Sequence, residues 1–268
     1  MIVDSHCHLD AFDPRELDDV LDGARAAGVG LIVTVGMDVE TSARGVAIAE
    51  SEEMVVAAVG LHPWLAQDYP DGVPIEELRA LARRAKVVAI GEIGLDFIDN
   101  KWTGLSYEDP ALQRLQEEAF RQQLRLAKSV DLPVIIHSRR AHAAVARILA
   151  EEGMATVGGC VQFQDGSIDD VRRYRELGFF LSVGSSVTYP DVGTWHETVR
   201  SVAADDLVLE SDAPWLPYDG HPSGRSSPSD LILVGEAIAR VRAVDPACMY
   251  ASTAENLLRA LPKIGSPP

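Results

Sequence analysis

His6 and His8 flank a cysteine in Asp4-Ser5-His6-Cys7-His8. Alternate side chains on a strand share a face, so these two imidazoles point the same way. Two neutral imidazoles converging at a strand end make half a metal site. Other short segments carry similar chemistry: Gly60-Leu61-His62-Pro63, Gly91-Glu92-Ile93-Gly94-Leu95-Asp96, His137-Ser138-Arg139 and Glu210-Ser211-Asp212-Ala213-Pro214. Taken singly, each is well explained by a polar side chain satisfying nearby backbone. Taken together, His and carboxylate groups suit a divalent ion that lowers the pKa of bound water and polarises a substrate oxygen.

Such groups act together only if the fold brings them to one place. Continuous apolar runs near 2–8, 30–36, 55–61, 86–91, 133–137, 156–162, 179–183 and 207–210 suit strands buried on both faces of a parallel sheet. Amphipathic stretches between them carry helix starts at Asp13-Pro14, Asp109-Pro110 and Ser167-Ile168-Asp169-Asp170, and Gly28 and Gly178 fit helix ends. Eight strands alternating with helices, with no glycine-rich nucleotide loop after the first strand, predict a single-domain α/β chain, a (β/α)8 TIM barrel over 1–261. The segment 262–268, with three prolines and a glycine, is expected to be poorly ordered. The barrel gathers all eight C-terminal strand ends on one face. Six of the seven histidines, all but His142, are placed there or in the loops that follow.

The chain has 268 residues, 47% hydrophobic and 24% charged, as expected of a globular protein. Its net charge of −17 argues against a broad basic surface for duplex nucleic acid, while leaving room for a local cationic pocket. Cys7, Cys160 and Cys248 are far apart and in no C-x-x-C arrangement, which disfavours a disulfide framework or thiolate zinc. With no signal-like start and no long apolar run, a cytoplasmic location without membrane contact is expected.

The segments at 4–10, 60–63, 91–97, 133–139 and 210–216, with Gln116, Phe120, Gln123 and Glu255-Asn256-Leu257-Leu258, run in an order that resembles the TatD-type metal-dependent hydrolases of the amidohydrolase superfamily. The resemblance implies a TIM barrel that hydrolyses phosphate esters, usually DNA and often at 3′ ends. It implies that His6, His8 and Asp212 hold one divalent ion (magnesium, manganese or zinc), that Glu92 bridges to a second, and that His137 ligates the second. Asp212 would take the proton from the attacking water, with His62 and Arg139 beside the substrate phosphate.

Three departures from the family pattern bear on this reading. Aligning Gly166-Ser167 places Gln162 where the family has a histidine. A carboxamide is a weaker donor for zinc-like ions, so Gln162 is a candidate ligand to a second ion expected to be weak or absent, beside one firmly bound. Trp64 follows His62-Pro63 where a histidine is common. All four tryptophans, Trp64, Trp102, Trp195 and Trp215, follow strands, and Trp64 and Trp215 are the preferred stacking platforms for a single-stranded end. Lys101, Arg139, Arg140 and Arg225 also follow strands. Arg139 and Arg225 match family positions and offer a planar fork to phosphate, although the segment after Arg225 lacks the family's Asn-Glu. The expected activity is trimming of single-stranded DNA or RNA ends. The alternatives are hydrolysis of a small-molecule or aminoacyl ester or amide, and a catalytically weak metal-binding partner subunit.

Overall fold

The structure is a computed structural model and describes residues 1–99, 104, 106, 109–190 and 193–265. Strands and helices alternate along the chain: β1 (Ile2–Cys7), α1 (Leu17–Ala26), β2 (Val29–Val35), α2 (Val39–Ser51), β3 (Val55–Val59), α3 (Ile75–Ala82), β4 (Val87–Asp96), α4 (Pro110–Val130), β5 (Val134–Arg139), α5 (His142–Glu151), β6 (Gly159–Gln162), α6 (Ile168–Glu176), β7 (Phe180–Val183), α7 (Trp195–Ser201), β8 (Leu207–Leu209), α8 (Leu231–Arg242) and α9 (Pro246–Ala260). Every neighbouring strand pair from β1 to β8 is parallel and in sequence order, which is the (β/α)8 barrel expected.

Alternation along the strands builds two apolar layers. Leu31, Val33, Val35, Val56, Ala58, Val88, Ile135, Cys160, Phe180 and Val208 fill the barrel interior, and Leu257 and Leu261 from the C-terminal segment join them. Ile32, Ala57, Val59, Ile90, Val134, Ile136, Val161 and Leu181 face outward and pack in the layer beneath the helices. Strands buried on both sides therefore read as unbroken apolar runs. Asn256 of α9 donates to the Ala204 and Leu207 carbonyls at 2.8 Å, pinning the helix at the N-terminal end of β8.

Polar groups stitch β8 back to β1. Asp212 N donates to His6 O at 3.0 Å and His8 N to Ala213 O at 2.7 Å. The buried Asp4 carboxylate accepts from Ser211 Oγ at 2.6 Å, Ser211 N at 3.0 Å and His6 N at 3.2 Å. This seam fixes His6, His8 and Asp212 relative to one another before any ligand arrives.

Helix starts follow the caps at α4, where Asp109 accepts from Ala111 N ahead of Pro110, and at α6, where Ser167 and Asp170 form a capping box. Gly28 and Gly178 sit at φ +82° and +75° after α1 and α6. Several boundaries differ from expectation. Residues 14–16 form a turn and α1 begins at Leu17, although Asp13 Oδ1 accepts the Arg15 backbone N–H at 2.9 Å as a cap would. Met154–Thr156 is a 3-10 turn, so β6 starts at Gly159. Of the segment 262–268, expected as a loose tail, Pro262–Gly265 is a 3-10 turn whose Ile264 packs on the interior core and whose Lys263 Nζ donates to Val87 O at 2.6 Å, and residues 266–268 lie outside the described residues. Among the described residues no helix is long and apolar enough to cross a membrane.

Candidate active site

At the C-terminal barrel end, β1 delivers His6 and His8, β4 delivers Glu92 and the turn after β8 delivers Asp212. His6 Nε2 and His8 Nε2 lie 3.3 Å apart. Glu92 Oε2 is 3.4 Å from His6 Nε2 and 3.6 Å from His8 Nε2, and Asp212 Oδ1 is 3.6 and 3.4 Å from the same two atoms. A tetrahedral ion with metal–ligand bonds of about 2.1 Å needs ligand–ligand edges of about 3.4 Å. Five edges of the quartet fall between 3.3 and 3.6 Å. The four atoms are lone-pair donors facing one another in a dry pocket, an arrangement that repels itself unless protons or a cation sit among them. The residues therefore fit a divalent ion. His6, His8 and Glu92 form one potential metal-holding group among the described residues, and His62, Glu92 and His137 a second.

Glu92 serves both groups through different oxygens. Its Oε1 lies 2.8 Å from His137 Nδ1, while Oε2 faces His6 and His8. The other ring nitrogen of His137, Nε2, is 3.0 Å from Asp96 Oδ2. Asp96 is buried at the end of β4, two side chains further along the face that carries Glu92. Gly94, between them, sits at φ +142°, and a Cβ there would lie 2.0 Å from His137 O, so only glycine lets β4 and β5 close on each other. His62 Nδ1 accepts the Trp64 backbone N–H at 3.1 Å, which leaves the proton of the neutral ring on Nε2, 3.8 Å from Glu92 Oε2. His62 is thus a donor aimed into the site rather than a third ligand for the second group.

Burial works against each charge here, and neighbouring charges decide the outcome. Desolvation opposes the His6 imidazolium, yet Glu92 and Asp212 outweigh it and push its pKa up to about 9. His137 is raised to about 10 against the same desolvation by Asp96 and Glu92. His62 is lowered to about 3, chiefly by burial, which keeps it neutral. The carboxyl of Glu92 is buried too, but the surrounding histidines hold it well below the usual range. Proton and metal compete for the same nitrogens.

The remaining expected residues are placed as follows. Gln162 is buried at the end of β6, on the inward face shared with Cys160. Arg139 ends β5 and is exposed. Trp215 is 51% exposed, although its backbone is pinned through Trp215 N to Asp212 O at 2.8 Å and through its own carbonyl, which accepts from Ser226 Oγ. Arg225 pairs with Glu16 at 3.0 Å, donates to Ala11 O and lies over the Phe12 ring. Trp64, expected as a stacking surface, instead donates its indole N–H to Asp96 Oδ2 at 2.8 Å and sets its ring edge to His62. Trp195 starts α7 and is buried against Phe163, which removes it as a platform. His196 also lies within α7, not in a strand-end loop, and sits 2.9 Å from Val187 O. Lys101 and Trp102 lie outside the described residues.

Sequence reasoning gave no role to Asp96, Gln164, Asp165 or His142. Gln164 donates to the buried Glu210 carboxylate at 2.9 Å, and burial raises Glu210 to about 8. Asp165 accepts from Arg140 N at 3.0 Å and pairs with His142 Nε2 at 2.9 Å, while His142 Nδ1 meets Ser138 Oγ at 2.8 Å. Asp96 had a signal, its even spacing from Glu92 on one strand. The β6 loop contacts had none, because they join segments far apart in sequence.

A family profile described as TatD related DNase matches residues 3–262. The chain is 36% identical over 261 residues to an uncharacterized metal-dependent hydrolase, YabD, of Bacillus subtilis, covering 97% of this chain and 98% of that protein. It is 36% identical over 258 residues to a protein of Cronobacter sakazakii named 3′-5′ ssDNA/RNA exonuclease TatD, covering 94% of each. Among solved structures, the TatD homolog YjjV of Escherichia coli superposes with a TM-score of 0.87 at 34% identity, over 99% of this chain and 98% of that one. With the histidine and carboxylate cluster at the barrel's C-terminal face, these matches show that the chain belongs to the TatD family of metal-dependent hydrolases.

Proposed function

We propose that this protein is a divalent-metal-dependent phosphodiesterase that trims single-stranded DNA or RNA ends. The observation that carries the reading is the convergence of His6, His8, Glu92 and Asp212, with both histidine Nε2 atoms 3.3 Å apart and each carboxylate oxygen 3.4 to 3.6 Å from both of them. These four residues would hold the firmly bound ion. Glu92 Oε1 and His137 Nδ1 would supply a weaker second position, with Gln162 as a neutral third donor. Bound there, a divalent ion lowers the pKa of water and offsets charge on an attacked phosphate.

The chain's own groups do the rest. Asp212, which offers Oδ1 to the ion, is also the candidate base for the proton of the attacking water through its second oxygen. The neutral His62 offers Nε2–H to a phosphate oxygen, and Arg139 offers a planar fork at the mouth. Trp215, exposed on a fixed backbone three residues beyond Asp212, offers a face on which a terminal base can stack. The nucleic-acid substrate is supported by the name of the Cronobacter relative.

The test is to strip the protein, reload it with magnesium, manganese or zinc, and follow nucleotide release from an end-labelled single strand. Asp212→Asn should lower turnover about 10²- to 10⁴-fold, the usual contribution of a positioned base, while an amide oxygen still serves the ion. Full activity in that variant removes Asp212 as the base. The net charge of −17 favours a small ester or amide substrate instead, and metal-dependent turnover of such compounds with no nucleotide release would establish that reading.

A further inference from the structure

We propose that Trp64 is a positioning residue for the Glu92–His137 half of the site, acting through Asp96. The inference rests on the metal-dependent reading above and assigns a role to a residue type that departs from the family pattern.

Three donors converge on the Asp96 carboxylate. Trp64 Nε1 reaches Oδ2 at 2.8 Å, His137 Nε2 reaches the same oxygen at 3.0 Å, and Ile98 N reaches Oδ1 at 3.0 Å. The Asp96 backbone is also fixed, its N–H donating to Gln116 Oε1 at 2.9 Å. With both oxygens accepting, Asp96 can meet His137 only where that ring carries a proton, so Nε2 is N–H. The opposite nitrogen, Nδ1, faces Glu92 Oε1 at 2.8 Å and so also carries a proton in the metal-free protein; with Nε2–H held by Asp96, Nδ1 is the nitrogen that would give up its proton to an ion. Carboxylate–histidine pairs of this kind fix the tautomer and orientation of a metal-binding imidazole.

The indole does what a smaller side chain cannot. It follows His62-Pro63, lies edge-on to His62 with centroids 4.8 Å apart, and spans from the turn after β3 to the end of β4. Removing its N–H leaves Asp96 Oδ2 with one buried donor fewer and frees the carboxylate to turn from His137. The quartet of His6, His8, Glu92 Oε2 and Asp212 contains neither Trp64 nor Asp96, so it is not touched directly.

The experiment is manganese binding to the full chain, resolved into tight and weak equivalents by the paramagnetic signal of free manganese. The variants are Trp64→Phe, which keeps an aromatic ring, and Asp96→Asn, whose amide cannot accept at both ends. Wild type is expected to bind one tight and one weak equivalent. Each variant should weaken the second by about 10- to 100-fold, as lost outer partners of metal ligands do, with the first unchanged. The Trp64 indole N–H, followed by ¹H–¹⁵N spectra of wild type, should shift and exchange faster in Asp96→Asn even without metal.

An unchanged weak equivalent in Trp64→Phe overturns the proposal, as does equal weakening of both equivalents, which would mean general loosening. Wild type that takes no second ion at millimolar manganese also overturns it, and that result leaves the one-ion hydrolase reading standing. Should Trp64→Phe fail to fold, Asp96→Asn and the indole signal decide the matter on the same terms.

Discussion

Metal uptake at the quartet should be strongly pH-dependent, with a sign and size set by the geometry. In the metal-free protein His6 has its pKa raised to about 9, because Glu92 and Asp212 lie 3.4 and 3.6 Å from its Nε2 and outweigh the cost of burial. An ion at that position needs the Nε2 electron pair. At about pH 7 the ion must therefore displace a proton that is held about two pH units more tightly than the ambient proton concentration. That competition lowers the apparent affinity about 100-fold relative to the neutral ring, or about 2.7 kcal/mol.

The apparent affinity should accordingly rise about tenfold per pH unit between about pH 6.5 and about pH 8.5 and level off above the His6 value. Zinc binding against a competing chelator measures the slope. Calorimetry in buffers of different ionisation heat counts the protons, with about one released per ion at neutral pH. His62, already neutral over this range, adds no pH dependence of its own. An affinity that changes less than about threefold over that range, with no proton released, would refute the claim that carboxylates hold His6 as a cation awaiting exchange.

Two further outcomes follow from the same contacts. Burial raises Asp4 from 3.8 to about 7, so its folded state binds the proton more tightly than the unfolded chain; stability is fully present below about pH 4 and is lost as pH rises through about 7. Asp4→Asn can accept both backbone N–H groups and donate to Ser211 Oγ, so urea unfolding of the metal-free variant should lack that decline, and parallel pH profiles would count against it. Trp215→Ala should weaken binding of a single-stranded oligonucleotide by about 1–3 kcal/mol in a fluorescence titration, while metal content stays the same; unchanged binding means the exposed ring is not the platform.

The strands were legible because burial on both faces leaves an uninterrupted apolar run, and all eight lie where those runs predict. Their ends were less so. β4 continues to Asp96, five residues past the expected end at Gly91, because hydrophobicity stops where the polar site begins although the strand does not. Period-two spacing carries across that point and places Glu92, Gly94 and Asp96 on one face, which is how Asp96 could have been found. The Trp64 contact with Asp96 is hard to read from sequence for a related reason. A tryptophan after a strand reads equally as a stacking face or as a donor, and only the position of Asp96, thirty-two residues away, decides for the donor.

Arg225 shows the limit more sharply. Its position after β8 makes it a natural phosphate ligand, yet Glu16 and the Phe12 ring, more than two hundred residues earlier, hold the guanidinium. Barrel closure is what brings them together, since β1 and the chain after β8 are joined by the Asp4–Ser211, His6–Asp212 and His8–Ala213 bonds. The same seam sets the edges of the metal quartet. Stability of the closure and affinity for the ion are therefore coupled: a change at Asp4 or Ser211 that loosens the seam must also spread His6, His8 and Asp212, and a bound ion must in turn resist opening there.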